Sequence, residues 1–369
     1  MMACNSQSSK ADVEKPKELE TKSSVETSDT SLIIGHGFDF ERNGKDTNVQ
    51  VFSTTFITDS SFDFRSIPVS SLLRKELTQR RTTANQYTID GLQFSGSDVS
   101  KAYALLSSEM FSELEAHQIK GEDAKGNVHF TGYFTPVLKV SASLDSIFQY
   151  PLYAYPEGDQ RPLPTRRQID IDGALNNRNL ELAFAKDAFE VYTMQVQGSG
   201  IVEYPDGEQS MFRYAGNNGY KYKSIGRHLV ESGEIDASEL SLSRLKEWMG
   251  EHPDSVKSLL AINPSYVFFE KGNNLDVVGA EGTRLQAMIS VAADPKYFPL
   301  GSLLVLERPV LDKKGLLIGK QKQWAIVQDV GGAIKGPGHI DMYCGKGKEG
   351  ENQSKALHHY GKVWLILPK

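Results

Sequence analysis

Trp324-Ala-Ile-Val-Gln-Asp329-Val-Gly-Gly-Ala-Ile-Lys-Gly-Pro-Gly-His339-Ile-Asp341-Met-Tyr-Cys344 holds two strand-like runs around a glycine-rich link. Successive side chains of a strand face opposite ways. In the first run, Ala325, Val327 and Asp329 therefore share a face. In the second, His339, Asp341 and Tyr343 form a polar face, while Ile340, Met342 and Cys344 form an apolar one. Gly331, Gly332, Gly336 and Gly338 permit positive φ and close backbone approach, so the link can bring Asp329 and Asp341 near each other. Neighbouring carboxylates raise each other's pKa. A carboxyl that keeps its proton near neutral pH can act as a general acid on a glycosidic oxygen. Taken alone, the spacing suits better a pair of aspartates that cap turns in a Gly-rich hairpin.

Working outward, Ala287–Val291, Ser302–Leu306 and Val363–Leu367 also read as short strands. Short strands with Gly-rich turns predict a small barrel. Upstream, Val128–Thr135 and Val137–Val140 are aromatic and β-branched and predict strands, as does Tyr192–Gln197, which runs into Gly198-Ser-Gly200. Helical spacing predicts helices over Ile67–Arg81 (Val69, Leu72, Leu73, Leu77) and Asp98–Leu114, the latter capped by Ser97 or Asp98. Further helices are predicted over Gly173–Lys186, Ser224–Ser232, Leu242–His252 and Pro253–Ile262, the last ended by Asn263-Pro264.

The chain has 369 residues, which suits two domains rather than one core. Apolar residues make up 39% and charged residues 24%, ordinary for a globular protein. No apolar run approaches the roughly 20 residues of a membrane-spanning helix. The net charge of −6 repels phosphate, so nucleic acid is not an expected partner. Two cysteines, Cys4 and Cys344, cannot build a disulfide framework or a structural zinc site. Neither a metal motif nor a cofactor motif is visible.

Residues 1–31 are rich in Ser, Thr, Lys and Glu and too poor in apolar groups to offset the entropy of ordering, so they predict a disordered tether. Their start, Met1-Met-Ala-Cys4-Asn5, is similar to the mature end of a bacterial lipoprotein, where a cysteine after a small residue is acylated. The alternative is a Cys4 without such a role. An acylated Cys4 would anchor the protein on the periplasmic face of the outer membrane; without a lipid the chain is expected to be soluble.

A set of ordered motifs gives the chain a family resemblance. They are Thr131-Gly-Tyr-Phe-Thr-Pro136, Tyr150-Pro-Leu-Tyr153, Leu163-Pro-Thr-Arg166, Gln197-Gly-Ser-Gly200, Tyr214-Ala-Gly-Asn-Asn-Gly219, Ser224-Ile-Gly226, Asn263-Pro-Ser-Tyr-Val-Phe-Phe269, Asp329 to Gly336, His339 to Tyr343 and His359-Tyr-Gly-Lys-Val-Trp364. In this order the chain resembles the membrane-bound lytic murein transglycosylase A family over most of its length after about residue 60. The stretch Pro337-Gly-His339 is one residue longer than the family pattern.

The resemblance implies a mainly β fold with peripheral helices. A double-psi β-barrel domain (32–135 and 273–369) would carry an inserted smaller β-domain (136–272), with a substrate groove between them. It implies cleavage of the β-1,4 bond between N-acetylmuramic acid and N-acetylglucosamine in peptidoglycan without water, leaving 1,6-anhydromuramic acid. Asp341 matches the family's catalytic aspartate, as single acid and then base, and Asp329 matches a second aspartate beside it. Thr131, Thr135, Gln197, Gly198, Ser199 and Tyr343 become candidate glycan contacts, although each also reads as an ordinary strand, turn or packing residue. Expected partners are peptidoglycan glycan strands and other cell-wall enzymes, with the chain itself a monomer. Two alternatives remain at this point: a non-catalytic glycan-binding barrel, and a muramidase that uses two carboxyls and a water. A thiol enzyme built on Cys344 and the histidines His358 and His359 has no supporting spacing.

Overall fold

A computed structural model describes residues 56–369 apart from 79–84, 90, 122–125, 238, 312–316 and 356. The expected tether and Cys4 lie outside the described residues. From the N-terminal side come β1 (Phe56–Thr58), α1 (Ser71–Thr78), β2 (Gln86–Ile89), β3 (Leu92–Ser95), α2 (Gly96–Ser107), β4 (Leu114–Ile119) and β5 (Val128–Thr135). The middle third holds β6 (Val137–Ser141), β7 (Tyr150–Tyr153), α3 (Arg166–Asp170), β8 (Glu181–Ala185), α4 (Ala188–Gln197), β9 (Gly200–Glu203), β10 (Gln209–Asn217), α5 (Ile225–Glu231), α6 (Leu242–Glu251), α7 (Val256–Leu260) and β11 (Val267–Lys271). The last part adds β12 (Ser290–Ala292), β13 (Leu303–Leu311), β14 (Leu317–Asp329), β15 (His339–Lys346), α8 (Gly347–Lys355) and β16 (His359–Pro368).

Six strands close on themselves in the order β16-β13-β14-β12-β15-β5, because β16 pairs both with β13 and with β5. Closure removes the exposed edges that an open sheet would present. The barrel fills with inward side chains such as Phe130, Val291, Leu304, Val327, Ile340 and Leu365, all fully buried. β4 and β1 extend it beyond β16, and α2 packs along β16. A second sheet, β11-β10-β9-β6-β8-β7, is built by the middle of the chain around Val140, Leu152, Met194 and Phe212. Its helical side is pinned by Arg166, which is buried between the rings of Tyr192 and Tyr266 and donates to the carbonyls of Asn263 (3.2 Å) and Ser265 (2.8 Å). The expected fold class, a barrel plus a second β-domain with peripheral helices, is the one observed.

Several elements differ from their sequence reading. Tyr192–Gln197 alternates like a strand but lies in α4. Asp187 accepts hydrogen bonds from the amides of Phe189 and Glu190, which starts a helix, and left-handed Gly198 ends it. Gly173–Lys186 is not helical, since Gly173, Asn177 and Asn179 all have positive φ and β8 follows. α2 stops at Ser107, leaving Met110 exposed and Leu114 on β4. Its cap is Ser95 rather than Ser97 or Asp98, and Asp98 closes a reciprocal capping box on it. α8, polar along most of its length, was not anticipated.

Two consequences follow for stability. Ser95→Ala should cost about 1 kcal/mol by urea denaturation, whereas an unchanged midpoint would mean that the box contributes nothing. A Cβ on Gly361 would lie 2.0 Å from the Glu307 carbonyl oxygen and 2.8 Å from the Phe130 ring. Gly361→Ala must therefore push β16 away from its neighbours, at a cost of about 2 kcal/mol or more. Wild-type thermal stability in that variant would show that the closure tolerates slack.

Candidate active site

The site is assembled by register. Ala292 of β12 pairs with Asp329 on β14 and with Asp341 on β15, and Asp341 pairs in turn with Thr131 on β5. Residues opposite one another across a sheet project to the same side. Ala292, Asp341 and Thr131 thus form one row on the outside of the barrel, and a register irregularity at Gln328 brings Asp329 into line with it, off the inward face that strict alternation would have it share with Ala325 and Val327. The next row holds the pair Tyr343 and Tyr133, and the preceding one the pair His339 and His129. Ile340, Met342 and Cys344 point into the barrel core, as strand parity predicts.

Asp341 accepts a hydrogen bond on Oδ1 from the Thr131 hydroxyl at 2.7 Å. The same hydroxyl lies 2.9 Å from Nε2 of His339. Asp329 is more deeply held. Its Oδ1 accepts from the amides of Ala280 and Val330, each at 3.0 Å, and its Oδ2 from the Tyr133 hydroxyl at 2.9 Å. Burial raises the Asp329 pKa, and these three donors counteract the rise. Asp341 is not among the causes of the Asp329 shift: β12 stands between their strands, and two strand spacings of roughly 4.8 Å separate their backbones. The link between the acids is Tyr133. Its hydroxyl is held far above its ordinary pKa by burial first, then by Asp329 and, more weakly, by Asp341.

The other candidates divide into two groups. Gln197, Gly198 and Ser199 lie partly exposed at the end of α4, and Gln197 Oε1 accepts from the Phe134 amide at 3.0 Å, tying the second sheet to β5. Thr135 and Tyr343 are 1% and 2% exposed, and their hydroxyls bond to each other at 2.9 Å. Tyr343 packs against Tyr133, Ile201 and Met211 and offers no ring face to a sugar, because the second sheet covers it. Thr131 spends its hydroxyl on Asp341 and His339. The loop 330–338 is anchored by buried Asp294, which accepts from the Gly336 amide at 2.9 Å. Cys344 cannot act as a thiolate: burial, then Asp341, pushes its pKa to about 12.

Tyr133, Ala280, Asp294 and the histidine row were missed by sequence reading. Parity would have placed Tyr133 on the same face as Thr131, since both lie on β5 at even spacing. Ala280 and Asp294 carry no local signal, because their roles depend on distant strands.

Comparison with known proteins bears on the fold and the family. A family model described as MltA specific insert domain matches residues 129–270, and one described as 3D domain matches residues 289–367. Membrane-bound lytic murein transglycosylase A of Escherichia coli strain K12 is 39% identical over 256 residues, 69% of each chain. The homologue from Buchnera aphidicola subsp. Schizaphis graminum is 33% identical over 256 residues, 69% of this chain and 70% of its own. The crystal structure of E. coli MltA with bound chitohexaose superposes with a TM-score of 0.77 at 30% identity, covering 92% of this chain and 99% of that one. The lytic transglycosylase LtgG of Burkholderia pseudomallei gives a TM-score of 0.52 at 31% identity, over 75% and 81% of the two chains. With barrel, second sheet and both family models in place, the chain belongs to the membrane-bound lytic murein transglycosylase A family.

Proposed function

We propose that this enzyme cleaves the β-1,4 bond between N-acetylmuramic acid and N-acetylglucosamine in peptidoglycan with Asp341 as its single acid and base. The observation that carries the reading is the position of Asp341: on the outer face of the barrel, with Oδ1 accepting from the Thr131 hydroxyl, two strands from a second acid that accepts from three donors. Protonated Asp341 gives its proton to the bridging oxygen as the bond from that oxygen to C1 breaks. Positive charge develops on the ring. The C6 hydroxyl of the same muramic residue closes on C1, and its proton returns to Asp341. No water enters, and the intramolecular attack benefits from high effective concentration.

Asp329 acts through Tyr133 and its negative charge stabilises the developing cation. Thr131 orients the acid. Gln197, Gly198 and Ser199 line the glycan path from the second sheet, whereas Thr135 and Tyr343 support the wall beneath it. In this reading the barrel is residues 32–135 with 273–369, the insert is 136–272, and the protein works as a monomer on glycan strands beside other cell-wall enzymes. No helix among the described residues is long and apolar enough to cross a membrane. Membrane attachment, in the manner that the relatives' names indicate, would come from acylation of Cys4 on the periplasmic face of the outer membrane.

Asp341→Asn should reduce release of anhydromuropeptides from purified sacculi on the order of a hundredfold or more, while the variant still sediments with sacculi. Mass analysis is decisive, because hydrolysis adds a water to the product and this reaction does not. Anhydro products from the variant at the wild-type rate would remove Asp341 from its role. Asp329 also has a pH signature. A raised carboxyl binds its proton more tightly in the folded state, so its contribution to stability is full below the ordinary carboxylate pKa and is lost as pH rises through the raised value. Asp329→Asn should therefore gain in melting temperature relative to wild type between pH 3.5 and pH 7. A difference that stays flat or shrinks would contradict a burial-raised acid.

A further inference from the structure

The histidine row has no part in the reaction just described, yet it touches the acid at one remove. His339 Nε2 lies 2.9 Å from the Thr131 hydroxyl, and that hydroxyl lies 2.7 Å from Asp341 Oδ1. A hydroxyl has one hydrogen to give. If it goes to Asp341, the contact with His339 must run the other way, with Nε2–H donating to the threonine oxygen. We propose that His339 is a positioning residue which, through Thr131, decides which oxygen of Asp341 handles the proton. The inference rests on Asp341 being the acid.

The physical logic is a directed chain. Nε2–H donates to Thr131, and Thr131 donates to Oδ1. Oδ1 is then an acceptor in both protonation states of Asp341, and the proton that is given and taken back resides on Oδ2. Hydrogen bonds in series polarise one another, so the chain stabilises the carboxylate that forms as protonated Asp341 gives its proton to the glycosidic oxygen, while Oδ2 stays turned to the reacting atoms for the return of the C6 hydroxyl proton. The reverse polarity would aim the acid's proton at Thr131 instead of at the glycosidic oxygen.

The surroundings of His339 favour a neutral ring with a fixed tautomer. It stacks on His129 of β5, with ring centroids 5.2 Å apart. His129 in turn lies against His358, which precedes β16, and against Tyr360 on β16. His359 also acts electrostatically on His129. Burial, followed by the neighbouring imidazoles, brings both His129 and His339 down to about 4. On the other side of the chain, Asp341 accepts from the Thr131 hydroxyl.

The test combines kinetics on soluble glycan strands with nitrogen-15 NMR of the histidine side chains. His339→Ala should lower kcat on the order of tenfold with little change in KM. Because the reaction starts from protonated Asp341, activity falls as pH rises through its pKa. Without the chain the carboxylate is less stabilised, so the alkaline limb of kcat should move to higher pH. Thr131→Val should move it equally, the double variant no further, and His339→Gln, which retains a donor, should restore it. The wild-type spectrum should show His339 as the Nε2–H tautomer. The NMR measurement and Thr131→Val keep the test alive should His339→Ala fail to fold. An unmoved alkaline limb, additive effects of the two substitutions, or an Nδ1–H tautomer would overturn the proposal while the Asp341→Asn variant stays inactive. An active Asp341→Asn variant would overturn both this inference and the reading on which it rests.

Discussion

The pairing of β16 with β5 is the constraint on which the rest of the structure depends. Three residues of β16, His359, Tyr360 and Gly361, lie against Phe130, His129 and Val128. That short antiparallel contact closes the barrel and holds β5 beside β15 in a fixed parallel register. Because strand side chains alternate, a slip of one residue would turn Thr131 and Tyr133 into the core and bring Phe130 and Gly132 to the surface. Gly132 shows how tightly the register is specified: a Cβ there would lie 2.8 Å from both the Cys344 sulfur and the Cα of Ser354 on α8. The acid's environment is thus a property of barrel closure rather than of any one loop.

Within that frame the two aspartates hold different environments from the same side-chain chemistry. Asp329 is enclosed and surrounded by donors that belong to three segments, β5, the turn before β12, and its own strand end. Burial works against its charge and hydrogen bonding works for it. Asp341 stands two strands away, served by a hydroxyl and, behind it, an imidazole. The strand between them contributes Ala292 to the row.

Strand parity made much of this legible in the sequence. The apolar face of Ile340, Met342 and Cys344 is a strict alternation, and it does point into the core. The polar face of Asp341 is its necessary complement. Motif order carried the second sheet and the family. Local patterns failed where two periods compete. Val191, Tyr192 and Met194 satisfy both a strand and a helix, and what decides is Asp187, a capping residue outside the window that was read. They failed also where a role is non-local. Nothing near Tyr343 announces that the second sheet covers it, and nothing near Ala280 announces that its amide supports an acid 49 residues downstream. Such roles come into being only when distant strands meet.

Thr131 and Asp341 are 210 residues apart in the chain, and the direct pairing of β5 with β15 brings them together. Closing a loop of that length costs entropy that the neighbours of neither residue offset, so the hydrogen bond exists only as part of the assembled barrel.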